Sequence, residues 1–316
     1  MKTNRCLFCG RILNNTDETQ FSWHSNCIKK FFGSALFPDS ALLEKDLEYL
    51  AVEELKNNTS LSGVQRKLSV GISKDKTLRR LTFVKSNSQF IIKTPDYDIP
   101  DITENEHFIM QLANDIGLET VENGLIKTKN NGYLYITKRI DRVSGKKLPM
   151  EDFCQLSNKL TEYKYQGSYE KCVKEIIDKY SSRKQIDKIR FFNVIYFSYV
   201  VGNTDMHLKN FSLYDDGSGF HLAPFYDLVS SYLLVGQDEF ALSLNGKRKK
   251  FTKNDFIKFG ENIGLSKELS MKLIKSLNAK IDYGFKALLP TSLMSEKLNK
   301  EMEELVKERL TILHAD

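Results

Sequence analysis

No stretch of this 316-residue sequence stays apolar for long enough to cross a membrane. The longest apolar run, Phe191 to Val201, is interrupted by Asn193 and Ser198 and falls well short of the roughly 20 residues that a span requires. The beginning of the chain lacks the apolar core and small-residue cleavage site of a signal peptide, because Met1-Lys2-Thr3-Asn4-Arg5 leads straight into Cys6. A cytoplasmic location without a membrane partner is therefore expected. Internal repeats and low-complexity tracts are also missing. Cysteine is sparse and odd in number, five in all, which argues against a disulfide framework. Three of the five fall within the first 27 residues, the pattern of a metal site in a reducing compartment. The net charge of +6 is modest, and its densest run, Lys247-Arg248-Lys249-Lys250, has no aromatic platform beside it. It reads as a solvated loop in preference to a nucleic-acid patch.

What remains is a globular composition, 41% hydrophobic and 28% charged, in a chain long enough for one two-lobed domain or two ordinary ones. Short β-branched or aromatic runs dominate from 66 to 138: Lys67 to Ile72, Leu81 to Lys85, Gln89 to Thr94, Leu125 to Lys127 and Tyr133 to Lys138. One helix interrupts them. Thr103 and Glu106 have capping-box spacing, Phe108, Leu112, Ala113 and Ile116 share a face, and Gly117 can end it. Another is expected from Ala41 to Lys56. After Arg142 helical periods take over, at 151–160, 168–180, 185–201, 253–263, 267–279 and 295–314. The exception is a hairpin, Phe211 to Tyr214 with Phe220 to Ala223. The fold class expected is α+β, a bilobed protein-kinase-like fold with a sheet-rich N-lobe and a mainly helical C-lobe. The divisions read as a small Cys/His knot at 1–34, an N-lobe at 35–141 and a C-lobe at 142–316.

The segment richest in chemistry is Gly202-Asn203-Thr204-Asp205-Met206-His207-Leu208-Lys209-Asn210, between a long apolar helix and the hairpin. Asp205 and Asn210 are five apart, as are the base and the magnesium-binding Asn of protein-kinase catalytic loops. Such chemistry needs a carboxylate at the acceptor hydroxyl and a hard amide oxygen holding the metal beside it. Asp227 follows seventeen residues after Asn210, where a kinase places a second metal ligand, although Leu228 replaces the usual glycine. Singly, each acid reads equally as a helix cap or surface turn; it is their joint order that points to phosphotransfer. His207 either orders Asp205, reaches a phosphate oxygen, or is a structural hydrogen-bonding residue. Upstream, Lys93 ends an apolar strand, where its ammonium could neutralise phosphates. Glu106 is a candidate partner for Lys93, with Glu104 as its rival. Ser60-Leu61-Ser62-Gly63-Val64-Gln65-Arg66-Lys67 reads either as a weak phosphate loop or as a turn.

Assembled, these residues resemble the HipA family of serine/threonine kinase toxins, over roughly residues 35 to 270. The segments that carry the resemblance are Leu61 to Leu68, Glu104-Asn105-Glu106, Lys138 to Arg142, Glu151 to Gln155, Gly202 to Asn210 and Ala223 to Asp227. It implies Asp205 as the acceptor-activating carboxylate, Asn210 and Asp227 as magnesium ligands and Lys93 on the phosphates of ATP. It also implies Lys138, Arg139 and Ile140 as the adenine hinge, and His207, Leu208, Lys209, Asn210 and Tyr226 against the nucleotide. The loop Ser62, Gly63, Val64, Gln65, Arg66 and Lys67 would cover the phosphates, with autophosphorylation at Ser60 or Ser62 expelling it and switching the enzyme off.

The partners implied are a protein substrate such as an aminoacyl-tRNA synthetase, and a HipB-like helix-turn-helix antitoxin through which DNA would be met indirectly. The resemblance also implies an N-terminal subdomain of about a hundred residues, which a chain of this length is expected to be too short to contain. A separate small HipS-like protein would supply it, as in HipT-like short forms. Cys6 and Cys9, then His24 and Cys27, form two pairs with two-residue gaps, a spacing that suits one structural zinc ion as well as reduced cysteines in an aromatic cluster. Cys154 and Cys172 read as core residues. Two other classes stay open: a phosphoinositide-kinase-like enzyme, whose loop also places a His two residues after the Asp, and a non-catalytic kinase-fold corepressor acting with a DNA-binding partner.

Overall fold

The short β-branched and aromatic runs between 67 and 138 become a five-stranded antiparallel sheet in the computed structural model of the chain. The structure describes residues 4–13, 21–40, 67–73, 79–84, 88–96, 98–129, 132–143 and 145–314. The expected helix at 41–56 and the Ser60 to Arg66 loop lie outside these residues. The strands are β1 (Lys67–Ile72), β2 (Leu81–Phe83), β3 (Phe90–Lys93), β4 (Asn123–Lys127) and β5 (Tyr133–Lys138), in the order β2-β1-β3-β5-β4. Val70, Phe90, Ile92, Leu125, Leu134 and Ile136 supply the buried side chains.

Contacts divide the chain into two compact units, residues 1–107 with 121–147, and residues 108–120 with 148–316. In the first, the N-terminal segment closes the exposed edge of the sheet at β4. Leu125 N–H donates to Leu7 O at 2.9 Å, and Trp23 Nε1 donates to Leu125 O at 2.8 Å. Gly124 makes this possible, because a Cβ there would lie 2.6 Å from the Trp23 ring. Helix α1 (Ser25–Phe32) brings Phe31 and Phe32 to the same cluster, where Phe8, Trp23, Phe31 and Phe90 meet at centroid distances of 5.2 to 5.6 Å. An edge covered in this way cannot recruit a foreign strand.

Helix α2 (Ile102–Asp115) buries Phe108, Leu112, Ala113 and Ile116 as the periodicity predicts, and Gly117 follows at φ +91°. The capping box does not form. The helix starts before Thr103, whose hydroxyl donates to Glu104 instead, and Glu106 turns inward. A second correction falls at 151–160. Met150–Asp152 is strand β8, paired with β9 (Ser212–Tyr214), which pairs in turn with β10 (His221–Leu222); a ribbon of β6 (Arg142–Val143) and β7 (Lys146–Lys147) precedes them. Only Phe153–Leu156 is helical, because Asp152 and Gln155 form a capping box that starts the turn there.

In the second unit, helix α3 (Lys184–Val201) is buried along most of its length. Helices α4 (Lys253–Asn262), α5 (Lys267–Leu288) and α6 (Glu296–His314) belong to the same unit. Arg309 of α6 donates to the carbonyl of Tyr199 on α3 and pairs with Asp238 at 2.6 Å. Cys154 and Cys172 are buried, as expected of core residues. The basic run is exposed, as expected of a solvated loop, with Lys247 paired to Asp255, Lys249 to Glu239, and Arg248 donating to the carbonyls of Ala241 and Tyr165.

Candidate active site and candidate metal centre

α3 ends at Gly202, whose φ of +75° turns the chain out of the helix. No larger residue fits, since a Cβ would sit 2.8 Å from Leu305 Cδ2 and 3.0 Å from Ser230 Oγ. The loop that follows is held at nearly every residue. Asn203 N–H returns to Ser198 O, Thr204 N–H and hydroxyl both meet Ser231 Oγ, and Tyr169 OH donates to Met206 O. Met206 and Leu208 point into the core. Asp205 is therefore left facing solvent, its side chain 48% exposed, on a rigid support.

Asn210 Nδ2 donates to the backbone carbonyl of Asp205 at 2.9 Å. The amide is thereby oriented, with its oxygen as the remaining ligand atom. Lys209 turns away to Asp152 at 2.6 Å, and Tyr226 OH bonds both Ser212 Oγ and Lys209 O, tying the Asp227 segment to the Asp205 loop. Asp227 itself adopts φ +62°, a left-handed backbone that a non-glycine residue keeps only under constraint. His207 lies with Nε2 4.0 Å from Asp205 Oδ2; burial lowers its pKa, which Asp205 opposes. Its Nδ1 is buried and has no hydrogen-bond partner among the described residues. Asn210 and Asp227 offer hard oxygen donors of the kind magnesium takes, so this donor set fits that ion.

In the first unit Lys93 is only 4% exposed, and its ammonium lies 2.5 and 2.7 Å from the two oxygens of Glu106. This pairing selects Glu106 over Glu104. Lys67 stands opposite Lys93 in the β1–β3 register. At the hinge-like segment, Lys138 N–H donates to Glu122 O and Arg139 N–H to Gln89 O, while Asp141 binds the guanidinium groups of Arg139 and Arg142.

The four ligating atoms of Cys6, Cys9, His24 and Cys27 lie within 4.8 Å of one another. His24 Nδ1 is 3.4 Å from Cys9 Sγ and 3.8 Å from Cys27 Sγ, and its Nε2 is 3.0 Å from Ile12 O. A carbonyl on the far nitrogen fixes the tautomer that frees Nδ1 for a metal. The hydrogen bond from Cys6 lowers the Cys9 thiol to about 5, while the same contact pushes Cys6 up. Three sulfurs and one nitrogen at this separation fit tetrahedral zinc.

One residue of the site escaped the sequence reading. Tyr165 donates from its hydroxyl to Asp205 Oδ1 at 3.0 Å and packs edge-on against His207. Burial, with Asp205 beside it, pushes the phenol up to about 12, so it stays a donor. It lies forty residues before its partner, and no local spacing marks it.

A strand-rich unit with a buried lysine–glutamate pair and a helical unit with an Asp/Asn loop define a kinase-like α+β fold. The HipA-like C-terminal domain family matches residues 59–284, and the chain belongs to that family. It is 30% identical over 262 residues to a Haemophilus influenzae protein named "Putative kinase", covering 73% of this chain and 75% of that one. It is 29% identical over 244 residues to "Putative kinase Y4dM" of Sinorhizobium fredii, covering 71% and 58%. Among solved structures it is similar to HipA of Shewanella oneidensis MR-1, determined with HipB and operator DNA, at a TM-score of 0.68 and 19% identity over 84% of this chain and 70% of that one. It is also similar to the Helicobacter pylori proinflammatory kinase CtkA, at a TM-score of 0.50 and 16% identity, covering 74% and 87%. Both likenesses concern the fold. Among the described residues no helix is long and apolar enough to cross a membrane.

Proposed function

We propose that the chain is an ATP- and magnesium-dependent serine/threonine protein kinase, the toxin of a toxin–antitoxin pair. The observation that carries the reading is the Asn210 Nδ2 bond to the Asp205 carbonyl, which builds a base and a hard metal ligand into one braced loop. Asp205 takes the proton of the acceptor hydroxyl as its oxygen bonds to the γ-phosphorus; the bond from that phosphorus to ADP breaks, and ADP leaves with the electron pair. Asn210 and Asp227 would hold magnesium, which would supply charge neutralisation for the transfer. Lys93, kept in place by Glu106, is assigned to phosphate oxygens, and Ile140 to the adenine edge. Ser60 or Ser62 is the assigned site of self-inactivating phosphorylation.

The proposed protein target is an aminoacyl-tRNA synthetase, and the neutralising partner a HipB-like antitoxin, with or without a small HipS-like protein. The complex solved for the Shewanella relative supports that partner class. The Cys6, Cys9, His24 and Cys27 site is assigned one structural zinc. Expression of the chain should arrest growth and place label from ATP on protein and not lipid, and Asp205→Ala should lose both effects. Undiminished arrest by a folded Asp205→Ala variant, or label confined to lipid, would overturn the reading.

A further inference from the structure

Asp205 is not a bare carboxylate. Oδ1 accepts the Tyr165 hydroxyl at 3.0 Å, whereas Oδ2 meets only His207 Nε2, at 4.0 Å, among the contacts of the site. The tyrosine comes from a turn after the short helix Thr161–Tyr163, and that turn is fastened by its backbone. Lys164 O accepts from Leu208 N–H at 3.1 Å, Tyr165 O from Arg248 Nη2 at 3.2 Å, and Gln166 O from Lys159 Nζ at 2.6 Å. The ring then lies edge-on to His207, with centroids 5.1 Å apart and planes at 77°. None of these anchors uses the hydroxyl.

Core packing does not explain this placement, since Tyr165 is 42% exposed. A half-exposed aspartate has two side-chain torsions and, without a donor, samples several rotamers. One fixed donor at Oδ1 selects a single orientation and leaves Oδ2 as the oxygen without a hydroxyl donor. Catalytic groups lose rate steeply when their orientation is lost.

We propose that Tyr165 is a positioning residue for phosphoryl transfer: its hydroxyl holds Oδ1 of Asp205, so that Oδ2 is the atom that takes the acceptor proton. The inference rests on the reading of Asp205 as the acceptor-activating base. Tyr165 does not touch the reacting atoms, and it acts through Asp205 alone.

The test is Tyr165→Phe, which keeps the ring on His207 and removes one hydrogen bond to a charged group. Transfer is measured from labelled ATP to heat-treated bacterial lysate protein. The kcat should fall about ten- to a hundredfold, with the KM for ATP and the melting temperature unchanged. Tyr163→Phe, which removes a neighbouring exposed phenol, should leave kcat unchanged. A kcat for Tyr165→Phe within about twofold of the unaltered chain overturns the proposal. So does a loss that comes with a raised KM for ATP or a lowered melting temperature, the mark of a structural role. Asp205→Ala separates the two levels. If it is inactive while Tyr165→Phe is normal, the positioning role alone fails; if it still transfers phosphate, or the unaltered chain transfers none, the base assignment fails and takes this inference with it.

Discussion

The knuckle of residues 4–32 and the loop of residues 202–210 are both short polar segments braced by aromatic side chains, but they gather their functional atoms by different routes. In the knuckle, two-residue gaps bring Cys6 beside Cys9 and His24 beside Cys27, and the four ligand atoms lie within 4.8 Å of one another. Its tertiary bonds, Trp23 to Leu125 and Leu125 to Leu7, dock a cluster already specified locally. The loop around Asp205 depends on distant chain at each step: Ser231 holds Thr204, Tyr169 holds Met206, Lys164 holds Leu208 and Tyr165 holds the carboxylate. Disturbing the first region should therefore cost stability, and disturbing the second should cost activity.

The sharpest separation comes from Asp227→Asn, which keeps a side chain that tolerates the left-handed backbone but removes the charge. Phosphate transfer should fall at least about a hundredfold, with an unchanged melting curve; a parallel loss of stability would break the contrast. Cys9→Ser tests the other side. The unaltered chain should carry one zinc by elemental analysis, and the variant should lose it, with a melting temperature lowered by about 5 °C or more and transfer retained in the cold. Loss of transfer with metal content and melting temperature intact would place the knuckle in the chemistry instead.

The smallest effect concerns His107, whose Nδ1 is bonded to Asn123 Oδ1 at 2.9 Å, at the start of the strand that receives the knuckle. Burial lowers its pKa from 6.5 to about 4. Above 6.5 both the folded and the unfolded chain keep this ring neutral. As pH falls from 6.5 toward 4 only the unfolded state takes up the proton, so stability is lost across that window, by about 2 kcal/mol between pH 7 and pH 5. Denaturant midpoints at the two pH values measure it, and His107→Gln should flatten the difference.

Some of the candidate site was legible before any coordinates. The Asp205 to Asn210 spacing, Asp227, Lys93 and the Cys/His pairs lie in segments whose chemistry is written at short range, and the sheet strands announced themselves as short β-branched or aromatic runs. The capping box at Thr103 and Glu106 had the right spacing too, yet the ammonium of Lys93, thirteen residues away, claimed Glu106. Residues 151–160 had a helical period, but pairing with β9 drew 150–152 into a sheet. The basic run is exposed as its composition suggested, and only folding supplies its partners Asp255, Glu239 and the Ala241 carbonyl.

The sequence by itself determined the α+β kinase-like class, the order of its motifs and the Cys/His grouping, because periodicity, loop spacing and ligand gaps act over a few residues. Tertiary structure alone decided that Glu106 pairs with Lys93 and that Tyr165 bonds Asp205. Each of those is a choice among competing hydrogen-bond partners, and the winner is set by which groups burial leaves within about 3 Å of one another.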